Sequence, residues 1–389
     1  MLTQIINGHI LTPEGWLDEG SVLISDGKIL EVTNSDLPII GATMFDAKGM
    51  YIVPGFVSIH EHGAAGHDYT EVTSEAFQQI LAAHARHGAT SQLATLSASN
   101  FDTIRKAADV CEELMEGGNK FLQGLHVEGP YLNKNMASKQ WGEFLKNPDE
   151  AEYTALLEHT NCIKRWDISP ELPEAHQFAQ YVSARGILTS ITHTEAEYDE
   201  IKEAFGAGFT HAAHFYNAMP GFHKRREYKY EGTVESVYLT KGMSVEVIAD
   251  GRHLPATILR LVYKLKGAEY TCLATDSLKY TANEGQPVDD PNLVVEDGVC
   301  KFADHSALAG SIATMDVLVR NMVKLAQVPL EDAVRMGSET PARLIGIDDK
   351  KGSLQKGKDA DIVILDKDIN VRCVFSGGEI VEGTNTMIH

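Results

Sequence analysis

Residues 186–215, GILTSITHTEAEYDEIKEAFGAGFTHAAHF, read as strand, helix and strand in succession. GILTSITH and FTHAAHF are short apolar runs of strand length, and AEYDEIKEAFGAG between them carries helical spacing. The same alternation extends in both directions. Eight strand candidates follow in order: IVPGFVSIH, TSQLATLS, FLQGLHVE, IKRWDIS, GILTSITH, FTHAAHF, MSVEVIAD and YTCLATD. Helical stretches such as SEAFQQILAAHARHG and DTIRKAADVCEELMEG separate them. Eight βα units predict an α/β protein built on a (β/α)8 TIM-type barrel, with catalytic groups at the C-terminal ends of the strands. A doubly wound open sheet is the alternative, but no GxGxxG or P-loop follows the early strands. After the eighth strand, SIATMDVLVRNMVKLAQV and PLEDAVRMGS read as helices on the outside of the barrel.

The chain ends have another rhythm. TQIINGHIL, SVLIS and KILEVTN, with Asp26-Gly27 as a hairpin turn, fill the first fifty residues. DADIVILD, NVRCVFS and EIVEG, with Gly377-Gly378 as a turn, fill the last. Neither segment is long enough for a core of its own. The expected organisation is therefore one small β-sandwich made of residues 1–52 and 355–389, with a barrel domain over 53–354 inserted between its halves.

Composition narrows the function. The 389 residues are 43% hydrophobic, with 55 acidic and 34 basic side chains and a formal net charge of −21. Such a charge repels a phosphate backbone, so nucleic acid is excluded as a partner. No secretory signal and no apolar run of spanning length is read in the sequence, and a cytoplasmic chain with no membrane partner is expected. Five scattered cysteines without CxxC spacing suggest neither a disulfide framework nor a thiolate zinc site.

The chemistry collects at the strand ends. His60 and His62 close the first predicted strand, Glu128 the third, His193 the fifth, His214 the sixth and Asp276 the eighth. Residues two apart on a strand share a face, so His60 and His62 can both point into the barrel mouth. Imidazole with carboxylate suits zinc or iron(II), and a hydrolytic site leaves a coordination position for water. His126 and His211 sit nearby, with strand periodicity aiming His126 to the same side as Glu128, whereas His84 and His87, in a helical stretch, are read as surface residues.

PGFVSIHEHG, HVEGPYL, ITHTEAE, AAHFYNAMP, IADGRH, LATDS, LAGSIATM, ETPARLIG and GKDADIVILD stand in one order along essentially the whole chain. In this the sequence resembles the N-acetylglucosamine-6-phosphate deacetylases of the amidohydrolase superfamily. The resemblance implies that Glu128, His193 and His214 hold a principal divalent transition metal, zinc or iron. His60 and His62 would hold a second ion, with Glu128 between the two, and Asp276 would be general base and acid. Only because the resemblance places its ligands elsewhere are His126 and His211 left as structural. By the same resemblance Asn217, Ala218, Arg225, the run Asp250 to His253, and Leu308, Ala309 and Gly310 line the sugar-phosphate site. No organic cofactor is implied, and a homodimer is expected.

The sequence departs from the family pattern twice. Where relatives carry a substrate-contacting histidine after the metal-binding glutamate, NKNMASKQWGE places Gln140, an amide that donates a hydrogen bond but carries no charge. The turn after NAMP is lengthened to GFHKRREYKYEG, a cationic cluster suited to a phosphate monoester. Ungapped counting from Asn217 selects Arg225 over Arg226. The expected reaction yields glucosamine 6-phosphate and acetate. The alternatives are a deacetylase of another N-acetylated sugar phosphate, such as the galactosamine epimer, and a non-catalytic scaffold.

Overall fold

Eight short strands in sequence order form one parallel sheet. They are β1 (Phe56–Ser58), β2 (Ala89–Leu96), β3 (Leu122–Glu128), β4 (Ile163–Ile168), β5 (Leu188–Ile191), β6 (Phe209–Ala212), β7 (Ser244–Val247) and β8 (Thr271–Leu273). The structure is a computed structural model that describes residues 2–35, 37–138, 141–283 and 285–385. Just beyond β1 and β8 the chain closes the ring. The Asp276 amide donates to the His60 carbonyl at 3.0 Å, and the His62 amide to the Ser277 carbonyl at 2.9 Å. The expected barrel is present, and the open sheet is ruled out by this closure.

Helices follow each strand: α1 (Ser74–Arg86), α2 (Phe101–Glu116), α3 (Glu150–His159), α4 (Ala175–Ser183), α5 (Tyr198–Ala207), α6 (Thr233–Leu239), α7 (Ala256–Lys266) and α8 (Met315–Lys324). Polar caps start several of them, because the first amides of a helix have no partner within it. Thr73 accepts from the Ala76 amide, Asn100 from Thr103, and Asp149 from Ala151 and Glu152. Two further helices, α9 (Leu330–Met336) and α10 (Glu339–Leu344), follow. No helix among the described residues is long and apolar enough to cross a membrane.

Side-chain alternation on the barrel strands separates two environments. Leu125, Val127, Trp166, Ile168, Val245 and Val247 join the large apolar core with the helices. The alternate residues, His126, Glu128, Arg165, Asp167 and Glu246, are equally buried but polar. This barrel interior is ionic toward its C-terminal end rather than filled with branched aliphatics throughout.

The two chain ends share a second sheet. Leu2–Thr12 pairs in parallel with Thr43–Pro54, which pairs antiparallel with Ile362–Leu365 from the other end of the chain. Ile5, Ile10, Val22, Ile52, Ile362, Ile364 and Phe375 belong to a separate apolar cluster. Both expected hairpins form, Ser25 pairing with Lys28 and Ser376 with Glu379. Their central residues, Asp26 and Gly27 in one and Gly377 and Gly378 in the other, all have positive φ, the conformation a two-residue turn needs to match strand twist.

Candidate active site

Six side chains from five strand ends meet at the C-terminal mouth. His60 and His62 lie just past β1, Glu128 ends β3, His193 and His214 follow β5 and β6, and Asp276 follows β8. His193, His214 and Asp276 have positive φ values of 43°, 26° and 46°, a conformation costly for residues with a Cβ. It turns each side chain sharply off its strand. Neighbouring main chain holds the turns: the Ser311 amide donates to the Asp276 carbonyl at 3.1 Å, and the Thr194 amide to the Ala218 carbonyl at 3.1 Å.

Glu128 is the centre of this arrangement. Its Oε1 lies 3.2 Å from His193 Nε2 and 3.3 Å from His214 Nε2. Its Oε2 lies 3.4 Å from His62 Nε2 and 3.9 Å from His60 Nε2. Asp276 Oδ1 stands opposite, 3.2 Å from His62 Nε2 and 3.6 Å from His60 Nε2. Glu128 with His193 and His214, and Glu128 with His60 and His62, are two compact trios of possible ligand atoms sharing one carboxylate.

The donor chemistry fits metal binding. His193 Nδ1 donates to the Met136 carbonyl at 3.0 Å and His214 Nδ1 to the Asn217 carbonyl at 3.1 Å. His60 Nδ1 donates to Glu246 Oε1 at 2.6 Å. A carbonyl or carboxylate only accepts, so these rings carry their hydrogen on Nδ1 and present Nε2 lone pairs inward. Lone pairs and carboxylates converging in a buried space call for positive charge. Glu128 Oε2 is buried without a hydrogen-bond partner among the described residues. The protonation balance gives the same message. Burial opposes charge on His62, yet the Asp276 hydrogen bond and the Glu128 charge push its pKa up to about 9. Burial likewise opposes charge on His214, and Glu128 raises it to about 9. Burial works against ionisation of Glu128 and Asp276 too, but the surrounding imidazoles hold both well below the usual carboxylate range.

Beneath the six lies a buried ionic layer. Arg165 donates to Asp167 through Nε at 2.8 Å and Nη2 at 2.6 Å, and to Glu246 through Nη1 at 2.5 Å and Nη2 at 3.1 Å. His126 Nε2 is 3.0 Å from Asp167 Oδ2, and His211 Nε2 is 3.5 Å from Glu246 Oε2. Burial lowers the pKa of His126 to about 3, so it is neutral. Residue-by-residue reading missed Arg165, Asp167 and Glu246. The signal was available: charged residues two apart within apolar strand runs, as in IKRWDIS, mark an interior-facing polar row.

One expectation is corrected. His84 is fully buried, with Nε2 3.3 Å from the Gly63 carbonyl and 3.1 Å from Ser277 Oγ, and burial lowers its pKa to about 4. It belongs to the apolar face of α1 with Phe77, Ile80 and Leu81. His87 does lie at the surface, beside Asp316 at 3.2 Å.

Some of the expected substrate residues are joined by hydrogen bonds to the six or to their chain neighbours. Asn217 and Ala218 are bound to His214 and Thr194 as described, and Leu308, Ala309 and Gly310 lie on the strand Leu308–Ser311, whose last residue is bonded to Asp276. Asp250 and His253 follow β7. Asp250 Oδ1 accepts the Arg252 and His253 amides at 2.8 Å each, and Oδ2 accepts from His253 Nδ1 at 2.7 Å, leaving Nε2 for another partner. Arg225 sits on a hairpin of His223–Arg225 and Tyr228–Tyr230, paired with Glu197 and 4.8 Å above the Tyr230 ring. Gln140 lies outside the described residues. Its neighbour Trp141 stands edge-on to His193, ring centres 5.3 Å apart, an aromatic wall that the sequence reading did not single out.

The chain that builds this site matches the model of the Amidohydrolase family over residues 51–381. The chain belongs to the amidohydrolase family. Among amidohydrolases it is 30% identical to N-acetylglucosamine-6-phosphate deacetylase of Lysinibacillus sphaericus, covering 98% of each chain. It is also 30% identical to N-acetylgalactosamine-6-phosphate deacetylase of Escherichia coli O157:H7, over 97% of this chain and 99% of that one. The crystal structure of N-acetylglucosamine-6-phosphate deacetylase from Pasteurella multocida superposes with a TM-score of 0.91 at 26% identity, covering 98% of this chain and 99% of that one.

Proposed function

We propose that this amidohydrolase removes the acetyl group of N-acetylglucosamine 6-phosphate by hydrolysis, giving glucosamine 6-phosphate and acetate. The observation that carries the reading is the Glu128 carboxylate shared by two imidazole pairs with Asp276 facing it, in a chain alike over its length to relatives that bear that activity in their names.

Glu128, His193 and His214 would hold a divalent transition metal, zinc or iron, and His60 and His62 with Glu128 a second ion. When bound, such an ion supplies positive charge that acidifies water and polarises an amide carbonyl. The chain's own groups do the rest. Asp276, ionised because the imidazoles around it outweigh its burial, accepts a proton from the attacking water and delivers it to the departing sugar nitrogen. Asp250 fixes the His253 ring, whose free Nε2 is available to the substrate. Asn217, Ala218 and Leu308 to Gly310 shape the sugar site, and the cationic hairpin with Arg225 takes the phosphate. Gln140 is assigned a polar contact to the sugar or its acyl oxygen.

A second reading, the galactosamine epimer, is favoured by the equal identity to the E. coli deacetylase. A panel of the two epimers, each with and without the 6-phosphate, tests both. We expect the glucosamine 6-phosphate derivative to have the highest kcat/KM. A higher value for the other epimer would replace the substrate, and equal rates without phosphate would remove the role of the hairpin.

Residues 53–354 are taken as the hydrolytic barrel, and 1–52 with 355–389 as a β-sandwich carrying it. The pairing of both chain ends in one sheet and their separate apolar cluster support this division. The protein is further proposed to work as a cytoplasmic homodimer. Exposed Phe222, Tyr228, Leu239 and Leu265 offer apolar surface for a second copy.

A further inference from the structure

Glu246, on β7, has a place that hydrolysis alone does not require. It is fully buried, and one of its oxygens meets both halves of the centre. Oε1 accepts from His60 Nδ1 at 2.6 Å and from the His214 main-chain amide at 2.9 Å. His60 belongs to one trio and His214 to the other. The carboxylate cannot swing away, because Arg165 grips it through both terminal nitrogens while its Nε and Nη2 are held by Asp167. Arg165 Nη1 also reaches the Ile59 carbonyl at 3.3 Å, beside His60 in the chain. A ring nitrogen donating to a fixed carboxylate keeps its hydrogen there, so the opposite nitrogen of His60 retains a lone pair.

We infer that Glu246, clamped by Arg165, is a positioning residue that makes His60, His62 and Glu128 a working second metal site. The inference rests on the reading of the two trios as metal ligands. A glutamine at 246 has one acceptor oxygen where the carboxylate has two, and no charge to hold the His60 hydrogen on Nδ1 in competition with the Arg165 guanidinium. His60 would then lose the charged acceptor that fixes its hydrogen on Nδ1 and its Nε2 lone pair toward the metal, whereas the Nδ1 acceptors of His193 and His214, the Met136 and Asn217 carbonyls, would remain.

The test is zinc titration of chelator-stripped protein, followed by calorimetry and by elemental analysis. Wild type should take up two zinc ions per chain, and His60→Asn one. Glu246→Gln should retain the tighter ion and bind the other about 10- to 100-fold more weakly, the usual effect of removing a partner behind a ligand. The triple variant Glu246→Gln/Arg165→Gln/Asp167→Asn, which removes the guanidinium together with both of its carboxylates and so leaves no unpaired charge among the three, should do the same with a wild-type near-ultraviolet spectrum. Unchanged affinity for both ions, or equal weakening of both, overturns the inference. So does loss of fold in both variants, since Glu246 would then be a general anchor of the barrel, and so does a wild type that binds fewer than two ions. Turnover of the acetylated sugar phosphate by wild type is a separate measurement, so failure of the proposed substrate remains distinguishable from failure of the positioning role.

Discussion

Asp276→Asn isolates the proton carrier from the metal ligands. The backbone at 276 has φ of 46°, which asparagine tolerates better than most side chains, and both main-chain hydrogen bonds of residue 276 are independent of its carboxylate. The fold should therefore survive. The shared Glu128 with His193 and His214 is also left in place, so metal content should hold. What is lost is an ionised oxygen 3.2 Å from His62 Nε2, replaced by an amide that does not take up a proton near neutrality. General acid–base catalysis contributes about 10²- to 10⁴-fold, which at about 1.36 kcal/mol per decade is roughly 2.7–5.4 kcal/mol of barrier. One carboxylate moving the proton in both halves of the reaction places the expected loss in kcat at the upper end, with a much smaller change in KM. Acetate release at saturating substrate, with metal measured on the same preparation, gives the answer. Near-normal turnover at full metal content would show that another group moves the proton, and parallel loss of metal would make Asp276 a ligand instead.

Glu128→Gln should abolish tight binding of both ions, since each of its oxygens faces one imidazole pair, and elemental analysis should find the variant nearly metal-free and inactive. Arg225→Ala should cost about 1.5–3 kcal/mol in kcat/KM toward the phosphorylated sugar, the range for a hydrogen bond to a charged group, and little toward the unphosphorylated one. Its exposed pair with Glu197 should make stability nearly indifferent to the change. Arg226, with positive φ at the hairpin turn, should be the milder site, and the reverse order would shift the phosphate contact by one residue. Asp316 supplies a pH test of stability. Burial opposes its ionisation, but His87, Thr314 and Arg320 hold its pKa below the ordinary value. Its contribution is present above the unfolded pKa of about 3.9 and disappears as pH falls through the folded value. Asp316→Asn should therefore lower the urea midpoint at neutral pH, with the gap narrowing in acid, and a constant gap would refute the assignment.

Much of this fold is local in origin. Each strand of the barrel and both hairpin turns depend on neighbours a few residues apart, which is why alternating apolar runs, Asp26-Gly27 and Gly377-Gly378 were legible directly. The six residues at the mouth were legible for the same reason, since a barrel concentrates function at strand ends. Even His84 carried a readable signal, because Phe77, Ile80, Leu81 and His84 recur at helical spacing on one face. Other features exist only after closure. Residues 60, 165 and 246 lie on β1, β4 and β7 or just past them, and no periodicity within one segment states that His60 will meet Glu246 or that Arg165 will neutralise it. The course of 223–230 is similar: nothing in a run of cations marks a hairpin that sets Arg225 over Tyr230 and against Glu197. Local sequence chooses element type through backbone sterics and side-chain period. The Arg165–Asp167 pair lies within one strand, but Glu246 meets Arg165 and His60 only once distant strands come together, so the tertiary fold decides how its cost of burial is offset.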